Sequence, residues 1–329
     1  MAESISVVLA TYNGEKFIAE QVRSILDQTH PVDEIIIVDD RSTDHTIAIL
    51  NELLGKSSIH NEIYVNEVNL GVVKNFEKGM DLSHGDIIFT SDQDDVWRSD
   101  KVEVMVKLFE QNPDCLLAFS NAKLVNEHRE PFTYPLWEVS RVRPEYFDQK
   151  RYYEELLKKR VVTGATMALR RKLFELMRPF PLDTWLHDGW LAINAPLYGD
   201  IAVSRETLIE YRQHTGNVVG ASKMNFMGKV RRYSNQLRMM EPMEVRILKE
   251  YQDFFDHSKN LIESKNETKH VSDCITFWHD SVEMKHVNRV KGLGLILKSI
   301  LTQGYQKYHY GGLRGVPVDL AYVLRFGGK

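Results

Sequence analysis

Four apolar runs in the first ninety residues alternate with segments of helical periodicity, and this alternation restricts the fold more than any other feature. The runs cover residues 5–10, 34–38, 63–65 and 87–89, and each has the length of a buried strand. Between the first two, apolar residues recur at helical spacing over residues 17–25. Short connections between alternating strands and helices are typical of a sheet of parallel strands covered by helices. The sequence therefore predicts an α/β fold with a mostly parallel sheet and helices on both faces.

Polar side chains follow three of these runs where each predicted strand ends. They are residues 11–13, the pair Asp39 and Asp40, and residues 92–95, which read DQDD. Parallel sheets bind ligands beyond the carboxyl ends of their strands, so one shared ligand site explains these three turns most economically. Clustered carboxylates repel one another unless a cation lies among them, and Mg²⁺ is usually held by carboxylates and substrate phosphates. The sequence predicts a metal and diphosphate site, against the alternative of an acidic turn in which Asp95 caps a helix.

The usual motifs that bind phosphate through backbone N–H groups are missing from the sequence. No Gly-x-Gly-x-x-Gly follows the first predicted strand, and there is no Gly-Lys-Ser or Gly-Lys-Thr loop. An acidic sheet edge without a glycine-rich loop needs a metal ion to neutralise phosphate. This favours a divalent cation, Mg²⁺ or Mn²⁺, at the predicted site.

Composition and charge restrict the compartment and the partners. The formal net charge of −4 argues against nucleic-acid binding, which favours a basic surface. Cys115 and Cys274 are far apart, which indicates a reducing compartment and no disulfide framework. The N-terminus has no basic and apolar leader, and no apolar run approaches the roughly 18 residues of a membrane span. We expect a cytoplasmic protein.

The chain changes character along its length. Residues 126–155 are polar, aromatic and irregular, and we expect them to form a mobile region over the site. Beyond about residue 220 the pattern predicts helices with few strands. The predicted domains are therefore residues 1–220, which carry the site, and residues 221–329, which form a helical region.

The last segment, residues 285–329, is basic and amphipathic. It holds eight basic residues against one acidic residue, Asp319, and apolar residues recur at helical spacing over residues 293–301. Such a pattern is typical of a segment that binds an anionic membrane surface. The alternative is a C-terminal helix packed on its own domain with a polar outer face. The first interpretation predicts association with the inner face of the cytoplasmic membrane.

Five motifs together resemble the family 2 glycosyltransferases of the GT-A fold, over about residues 5–220. They are residues 10–14 (ATYNG), 38–44 (VDDRSTD), 69–71 (NLG), 91–97 (SDQDDVW) and 187–190 (HDGW). The SDQDDVW form and residues 211–214 (YRQH) are similar to bacterial rhamnosyltransferase-like members that build surface polysaccharides. The sequence departs from the family at Arg41, where a small residue, usually glycine, is common. It also departs at Thr215, which follows His214 where relatives often have glycine.

The resemblance implies a role for each matched residue on the donor side. Thr11 and Tyr12 would flank the nucleotide base, and Asp39 would accept a hydrogen bond from its imide N–H, which suits uracil or thymine. Asp94 would bind the metal ion that bridges the diphosphate, and Asp92 would contact the ribose or the metal. A late histidine that reaches the metal or diphosphate in some members corresponds to His214, although a structural role is as common for a lone histidine. The remaining implied nucleotide contacts are Asn13, Asp40 and Asn69.

On the acceptor side, the resemblance implies that Asp188 is the general base. The small residues around Gly164 could let a second substrate approach the backbone. Trp185 and Trp190 could support a sugar ring, although core packing explains either equally well. The remaining candidate acceptor or sugar contacts are Asp95, Trp97, His187 and Arg212.

The implied reaction is a single displacement with inversion, in which one carboxylate takes the proton of the acceptor hydroxyl. No second carboxylate has to protonate the diphosphate, unlike in a glycoside hydrolase. The predicted donor is dTDP-rhamnose, and other dTDP- or UDP-sugars are the next candidates. The predicted acceptor is a hydroxyl of a growing lipid-linked glycan. The chain could also form a homodimer.

Three alternatives remain at this point. One is transfer of glucose or galactose from a UDP-sugar. Another is a sugar nucleotidyltransferase, which normally needs a glycine-rich basic loop that residues 11–15 do not provide. The third is a scaffold or polysaccharide-binding module, which has no use for the acidic cluster together with Asp188.

Overall fold

The computed structural model describes residues 3–214, 226–264 and 267–326, and for residues 226–242 and 326 it describes the backbone alone. Contacts divide the chain into two compact units. The first is Met1–Arg151 with Val161–Ser222, and the second is Tyr152–Arg160 with Lys223–Lys329. The predicted boundary at residues 220 and 221 lies outside the described residues and stays a prediction. Thr215 lies outside them as well.

The first unit contains a sheet of nine strands in the described residues. Their order is β3-β2-β1-β4-β8-β6-β9-β5, with β7 paired to β6. The strands are β1 (Ile5–Thr11), β2 (Glu34–Asp39), β3 (His60–Val65), β4 (Ile87–Ser91), β5 (Val96–Trp97), β6 (Cys115–Asn126), β7 (Pro131–Pro135), β8 (Met167–Arg170) and β9 (Asp200–Gln213).

The first half of the sheet is parallel, as the alternation of strands and helices predicts. β1 lies between β2 and β4, and β3 extends the sheet beyond β2. β1, β2 and β4 are apolar along most of their length because both of their faces are covered. The register aligns Thr11 with Asp39 at the carboxyl ends of β1 and β2. The polar clusters therefore share one edge of the sheet.

The second half of the sheet is mixed rather than parallel. β8 is antiparallel to both β4 and β6, β6 is parallel to β9, and β5 is antiparallel to β9. β6 and β9 are longer than the apolar runs of the sequence suggest, because they pair with each other with register shifts as far as Asn126 and Gln213. This long pair brings the end of β9 to the acidic turn that follows β4.

Helices connect and cover these strands in the first unit. α9, which carries the HDGW motif, begins at His187. The helices are α1 (Ile18–Leu26), α2 (Thr46–Leu54), α3 (Val72–Leu82), α4 (Lys101–Gln111), α5 (Leu136–Ser140), α6 (Pro144–Asp148), α8 (Arg171–Met177) and α9 (His187–Tyr198). α7 (Tyr153–Leu156) belongs to the second unit.

The prediction that residues 126–155 are irregular is wrong. This stretch contains β7, α5, α6 and α7. Several of its aromatic side chains are buried: the rings of Trp137 and Phe147 lie 5.6 Å and 5.1 Å from the ring of Phe119 on β6. Polar residues separate these buried aromatic residues in the sequence, so the sequence pattern does not indicate that they contact the core.

The second unit is helical in its described residues, as the sequence predicts. Its core includes Phe254, Cys274, Phe277 and Tyr305, whose side chains are buried. Beyond α7, its helices are α10 (Phe226–Ser264), α11 (Thr268–Glu283), α12 (Arg289–Leu301), α13 (Gly304–Tyr308) and α14 (Val316–Phe326), with a 3-10 turn at Gly312–Gly315. None of the helices in the described part of the chain combines the length and apolarity that a membrane span requires.

Candidate active site

The end of β1 is tied to the turn after β4 by a reciprocal pair of hydrogen bonds. The backbone N–H of Tyr12 donates to Gln93 Oε1 at 2.8 Å, and Gln93 Nε2 donates back to the Tyr12 carbonyl at 3.0 Å. These bonds use backbone groups, so they leave the ring of Tyr12 half exposed. An exposed aromatic ring at the carboxyl edge of a sheet offers a stacking surface for a planar ligand.

Asp39, at the end of β2, has a buried carboxylate with a fixed orientation. It accepts hydrogen bonds from the Thr11 hydroxyl at 2.7 Å, the Ser42 hydroxyl at 2.6 Å and the Ser42 backbone N–H at 2.7 Å. Three donors hold both oxygens, so the carboxylate loses little freedom when a further donor reaches it. The structure thus brings Thr11, Tyr12 and Asp39 together at one edge.

Asp40 holds the loop of residues 66–71 in place. Its Oδ1 accepts from the Leu70 N–H at 2.7 Å and from Asn66 Nδ2 at 2.9 Å, and its Oδ2 accepts from the Gly71 N–H at 2.8 Å. Asn69 Nδ2 lies 3.3 Å from the Asp40 carbonyl oxygen. Both oxygens of the buried Asp40 carboxylate therefore bind this loop. If Asp40 contributes to nucleotide binding, as predicted, it does so by positioning the loop.

The unusual arginine of the VDDRSTD motif has a left-handed backbone. Arg41 has φ +68°, and Asn13 in the facing turn has φ +48°. Glycine adopts such values without strain, which explains why a small residue suits position 41. The Asn13 side chain accepts from the Thr43 N–H at 2.9 Å and its own N–H donates to the Ser42 hydroxyl at 2.8 Å, so the two turns brace each other.

The turn after β4 gathers three carboxylates and one histidine. Asp94 Oδ2 lies 2.7 Å from Nε2 of His214, which follows β9. Asp95 Oδ1 accepts from the Arg212 N–H at 2.9 Å, while its buried Oδ2 has no hydrogen-bond partner among the described residues. Burial and the nearby charges of Asp94 and Asp188 raise the pKa of Asp92 to about 7. The cluster therefore carries negative charge that the protein neutralises only in part.

This set of donors fits a hard divalent cation. Oxygen ligands suit Mg²⁺ and Mn²⁺, and Mg²⁺ is usually bound by one or two carboxylates together with substrate phosphates. Asp94 and His214 are close enough to bind one ion, and the orphaned oxygen of Asp95 lies in the same turn.

Within the described ranges, one group of three potential ligands has its atoms within 4.8 Å of one another: His279, Asp280 and Glu283, in the second unit. Lys298 and Lys291 already pair with those two carboxylates at 2.6 Å and 2.7 Å. The two lysines therefore neutralise that group. The turn after β4 is different, because its carboxylates keep negative charge and phosphate oxygens would complete the coordination of a metal ion there.

Lys101, at the start of α4, is a residue of this site that sequence reasoning missed. Its buried ammonium group donates to the Ala165 carbonyl at 2.9 Å and lies 3.7 Å from the centroid of the Trp97 ring. Burial lowers the pKa of Lys101 to about 7, against the opposing effect of Asp95 and Asp92. Lys101 lies four residues before the buried Met105 on one helix face, which is the signal in the sequence that could have revealed its burial.

Asp188 lies beside the acidic cluster although it is far from it in sequence. It is the second residue of α9, whose N-cap is Leu186, so it is not the cap of that helix. Its Oδ2 accepts from the Gly164 N–H at 3.0 Å, and its charge contributes to the raised pKa of Asp92. The structure thus brings a half-buried carboxylate from the acceptor-side motif next to the turn after β4.

Residues 6–177 match the model of the family described as Glycosyl transferase family 2. The chain belongs to this family. The predicted enzyme class, a family 2 glycosyltransferase, is confirmed. Among curated proteins, dTDP-rhamnosyl transferase RfbG of Shigella flexneri is 33% identical over 238 residues, which cover 68% of this chain and 77% of that relative.

Solved structures resemble this glycosyltransferase over most of its length. S. aureus TarS 1–349 in complex with UDP-GlcNAc has a TM-score of 0.52 and 18% identity, and the match covers 92% of both chains. Mannosyltransferase PcManGT from Pyrobaculum calidifontis, in complex with GDP-Man and Mn²⁺, has a TM-score of 0.54 and 13% identity, covering 98% of this chain and 88% of that one. These likenesses confirm the predicted GT-A fold, with a mixed sheet and a helical C-terminal region.

Several residues predicted as acceptor or sugar contacts of this glycosyltransferase are buried in the protein. Arg212 donates to the Asp94 and Glu127 carbonyls at 2.7 Å each and to Glu20 Oε2 at 2.9 Å. The Trp190 indole N–H donates to the Met177 carbonyl at 3.1 Å. Trp97 and Trp185 are buried as well. Burial and internal hydrogen bonding argue against direct substrate contact by these four side chains and favour core packing.

His187 has an unusual environment in this glycosyltransferase. The buried ring stacks on Phe76 with centroids 4.0 Å apart, and neither ring nitrogen has a hydrogen-bond partner among the described residues. Burial lowers the pKa of His187, although the neighbouring Asp188 opposes this effect. The His187 ring therefore packs between Phe76 and Gly164 at the first residue of α9.

Gly164→Ala is expected to lower the free energy of unfolding by about 1–3 kcal/mol, since overpacking a tight contact has this cost. A Cβ at Gly164 would lie 2.7 Å from His187 Nε2, and the stacked ring has little room to move. Urea unfolding followed by circular dichroism measures the change. Gly294→Ala is the matched control, because nothing lies within 4 Å of its Cβ position, and it should be neutral or stabilising. Equal stability of Gly164→Ala and the wild type would show that the contact is not tight.

Proposed function

We propose that this chain transfers a sugar, in the first place rhamnose, from a pyrimidine nucleotide-sugar to a hydroxyl of a growing cell-surface glycan. The observation that carries the proposal is the position of Asp188 beside the carboxylates of the turn after β4. The turn after β4 would then provide the ligands of a metal ion that binds the diphosphate, and the start of α9 would provide a base. The likeness to dTDP-rhamnosyl transferase RfbG supports rhamnose and dTDP as the sugar and the nucleotide.

The nucleotide base would bind at the joined ends of β1 and β2. The half-exposed ring of Tyr12 offers a stacking surface, and the oriented Asp39 carboxylate would accept a hydrogen bond from the imide N–H. Uracil and thymine have such an N–H group, whereas cytosine does not. Thr11, Asn13 and the Asp40-held loop with Asn69 would support this pocket, as the sequence predicts. These contacts favour dTDP- and UDP-sugars.

Asp94 and His214 would hold the Mg²⁺ or Mn²⁺ ion, and Asp92 would contact the ribose or the ion. When bound, the cation offsets the charge that develops on the departing diphosphate. The buried amino group of Lys101 interacts electrostatically with Asp92 and Asp95, and with a pKa of about 7 it contributes part of a positive charge to the same cluster. Arg212 keeps the turn in shape through its hydrogen bonds to the Asp94 carbonyl and the Asp95 carboxylate.

Asp188 would act as the general base. Its carboxylate would take the proton of the acceptor hydroxyl while the hydroxyl oxygen forms a bond to the anomeric carbon. The bond from that carbon to the diphosphate oxygen breaks on the opposite face, so the configuration inverts. The Gly164 N–H donates to Asp188 Oδ2 at 3.0 Å and the Gly189 N–H donates to Oδ1 at 2.6 Å, so both oxygens are oriented and each keeps a lone pair for the proton. One carboxylate is enough, because the diphosphate leaves without protonation.

The acceptor in this proposal is a lipid-linked saccharide at the inner face of the cytoplasmic membrane. The support is the basic character of residues 285–326 and the likeness to a transferase of the rhamnosyl class. A second candidate donor is UDP-glucose or UDP-galactose, which the pyrimidine site would accept equally well. The similar structure of TarS, which was solved in complex with UDP-GlcNAc, supports UDP-sugars as alternative donors.

The nucleotide half of the proposal is tested by thermal unfolding with UDP, dTDP, GDP or CMP, each with and without Mn²⁺. UDP or dTDP with Mn²⁺ should raise the melting temperature, since a ligand at 100 times its Kd adds about 2.7 kcal/mol of stability. Each nucleotide without Mn²⁺ should stabilise the protein less. Stronger stabilisation by GDP or CMP than by both UDP and dTDP would contradict the pyrimidine site, and equal shifts without Mn²⁺ would contradict the metal.

A further inference from the structure

One side of α12 in the second unit is apolar and exposed. Val290 is 82% exposed and Leu301 is 75% exposed, and Leu293 and Leu297 between them are exposed as well. These four residues, spaced by three, four and four positions, lie on one face of the helix. We call them the outer row of α12. A contiguous exposed row of large apolar side chains is unusual on a soluble surface and indicates a binding function.

The outer row is not left over from the packing of the second unit. α12 packs through its other side, where Gly292, Ile296 and Ser299 are buried. A Cβ at Gly292 would come within 2.9 Å of Val323 Cγ1, so α12 already lies close against α14 there. The side chains of the outer row therefore lie on the side of α12 opposite to the one that packs in the core.

A second exposed row occurs in the same unit. Leu313 in the 3-10 turn and Leu320 and Leu324 on α14 are exposed at spacings of seven and four residues. Tyr310, just before the 3-10 turn, is exposed too. The apolar surface offered by this part of the chain thus extends beyond a single helix.

The charge along the segment that carries these rows is strongly one-sided. Residues 286–326 hold six basic residues, Arg289, Lys291, Lys298, Lys307, Arg314 and Arg325, and one acidic residue. The acidic residue, Asp319, is buried and accepts a hydrogen bond from the Tyr305 hydroxyl at 2.7 Å. Lys291 and Lys298 pair with Glu283 and Asp280, but Lys307 and Arg314 are exposed. An exposed apolar row in a segment that also carries exposed basic residues is complementary to an anionic lipid surface.

The same charges argue against a second copy of this chain as the occupant. Two copies meeting through this face would bring like charges together, which disfavours association. A partner protein would need an acidic surface with an apolar centre, whereas a bilayer of anionic phospholipid has both features at every point.

We propose that the outer row of α12 inserts into the interface of an anionic phospholipid bilayer while the surrounding basic residues contact the headgroups. This proposal deepens the proposed function. It depends on the proposed function only where it concerns the lipid-linked acceptor. The structure also corrects the sequence-based view of the basic segment. Ile296, Tyr305 and Tyr308 are buried in the unit, and Lys285 is buried in an ion pair with Glu244, so none of them belongs to the lipid-facing surface.

Flotation of the full chain with vesicles tests the proposal. Vesicles of phosphatidylcholine with phosphatidylglycerol are compared with vesicles of phosphatidylcholine alone at low salt. We expect the wild type to float with the anionic vesicles and to be released by high salt. The double substitution Leu297→Gln with Leu301→Gln should weaken binding by at least about tenfold, because burying exposed leucine side chains provides much of the affinity. Lys307→Glu with Arg314→Glu should weaken it to a similar extent.

The matched control is Leu176→Gln with Leu182→Gln, two exposed leucines of the first unit that should leave flotation unchanged. Circular dichroism confirms that each variant is folded, and sedimentation measures its oligomeric state. Equal recovery of the wild type with anionic and neutral vesicles would overturn the proposal. So would unchanged flotation of the Leu297→Gln, Leu301→Gln variant, or a wild-type dimer that this variant converts to monomer. The nucleotide-dependent melting shift is recorded in parallel, so that loss of lipid binding and failure of the proposed function are seen separately.

Discussion

Asp188→Asn is expected to lower kcat by about 10²–10⁴, the range that general-base catalysis supplies. This corresponds to roughly 3–5 kcal/mol of activation free energy. Asparagine has nearly the same shape, and its Oδ1 can still accept the hydrogen bond from the Gly164 N–H, while its amide nitrogen would face the Gly189 N–H that donates to the other Asp188 oxygen. It cannot take a proton from the acceptor hydroxyl. Donor binding should therefore stay near the wild-type value, because the nucleotide contacts belong to other segments.

The matched control for this substitution is Asp183→Asn, which removes an exposed carboxylate from the loop before α9. It should keep the wild-type rate. Steady-state kinetics with saturating donor separates the effect on kcat from that on KM. If Asp188→Asn melts earlier but turns over at the wild-type rate, Asp188 merely stabilises the first turn of α9. A carboxylate at that position typically contributes about 0.3–1 kcal/mol, and another base would then have to be found.

Asp94→Ala is expected to weaken metal-dependent binding of UDP or dTDP by about 100-fold or more. Even groups that only orient a ligand typically change metal affinity by 10–100-fold when mutated, so loss of a ligand should cost at least as much. The substitution also removes one of several like charges and breaks the 2.7 Å contact with His214. We therefore expect no loss of melting temperature in the absence of metal beyond that from the lost contact.

Titration calorimetry of UDP or dTDP in the presence and absence of Mn²⁺ measures this change. Asp114→Ala removes an exposed carboxylate from the first unit and is the control. Binding by Asp94→Ala that keeps the wild-type dependence on Mn²⁺ would show that Asp94 is not a metal ligand. Binding that is weak with and without Mn²⁺ would assign Asp94 to the nucleotide instead.

The part of the site that the sequence predicts well is the part formed by strand ends. β1, β2 and β4 are apolar on both faces, so each strand and the point where it stops are visible in the residue pattern. Parallel pairing then requires the residues that follow to share one edge, and the aligned Thr11 and Asp39 do so. No knowledge of distant contacts is needed to place the polar clusters together.

The distant partners of Lys101 and Arg212 are what the sequence does not reveal, although helical spacing is a signal for the burial of Lys101. Both residues are charged, and charged residues are normally exposed. Their burial depends on carbonyl partners from far along the chain: that of Ala165 for Lys101, and those of Asp94 and Glu127 for Arg212. Side-chain pairing at such separations follows from the β6–β9 and β4–β8 pairings, which no local pattern predicts.

The basic C-terminal segment was predictable in composition but not in arrangement. Helical spacing of its apolar residues does not tell which of two faces packs on the protein. The structure resolves this on α12, where Ile296 is buried while Leu297 and Leu301 are exposed. One side of the helix packs on its own unit, as the second interpretation predicts, and the other side is an exposed apolar row. Membrane association stays a prediction.

Release of nucleoside diphosphate from nucleotide-sugars tests the central claim most directly. The purified chain is incubated with dTDP-rhamnose, UDP-glucose or UDP-galactose in the presence of Mn²⁺, with water as a slow acceptor. We predict release of dTDP from dTDP-rhamnose, its loss on chelation of the metal, and a strong decrease in Asp188→Asn. Release of UDP from UDP-glucose or UDP-galactose without turnover of dTDP-rhamnose would contradict the proposed sugar. Absence of release from every donor, by a protein that binds UDP or dTDP, would contradict the proposed reaction.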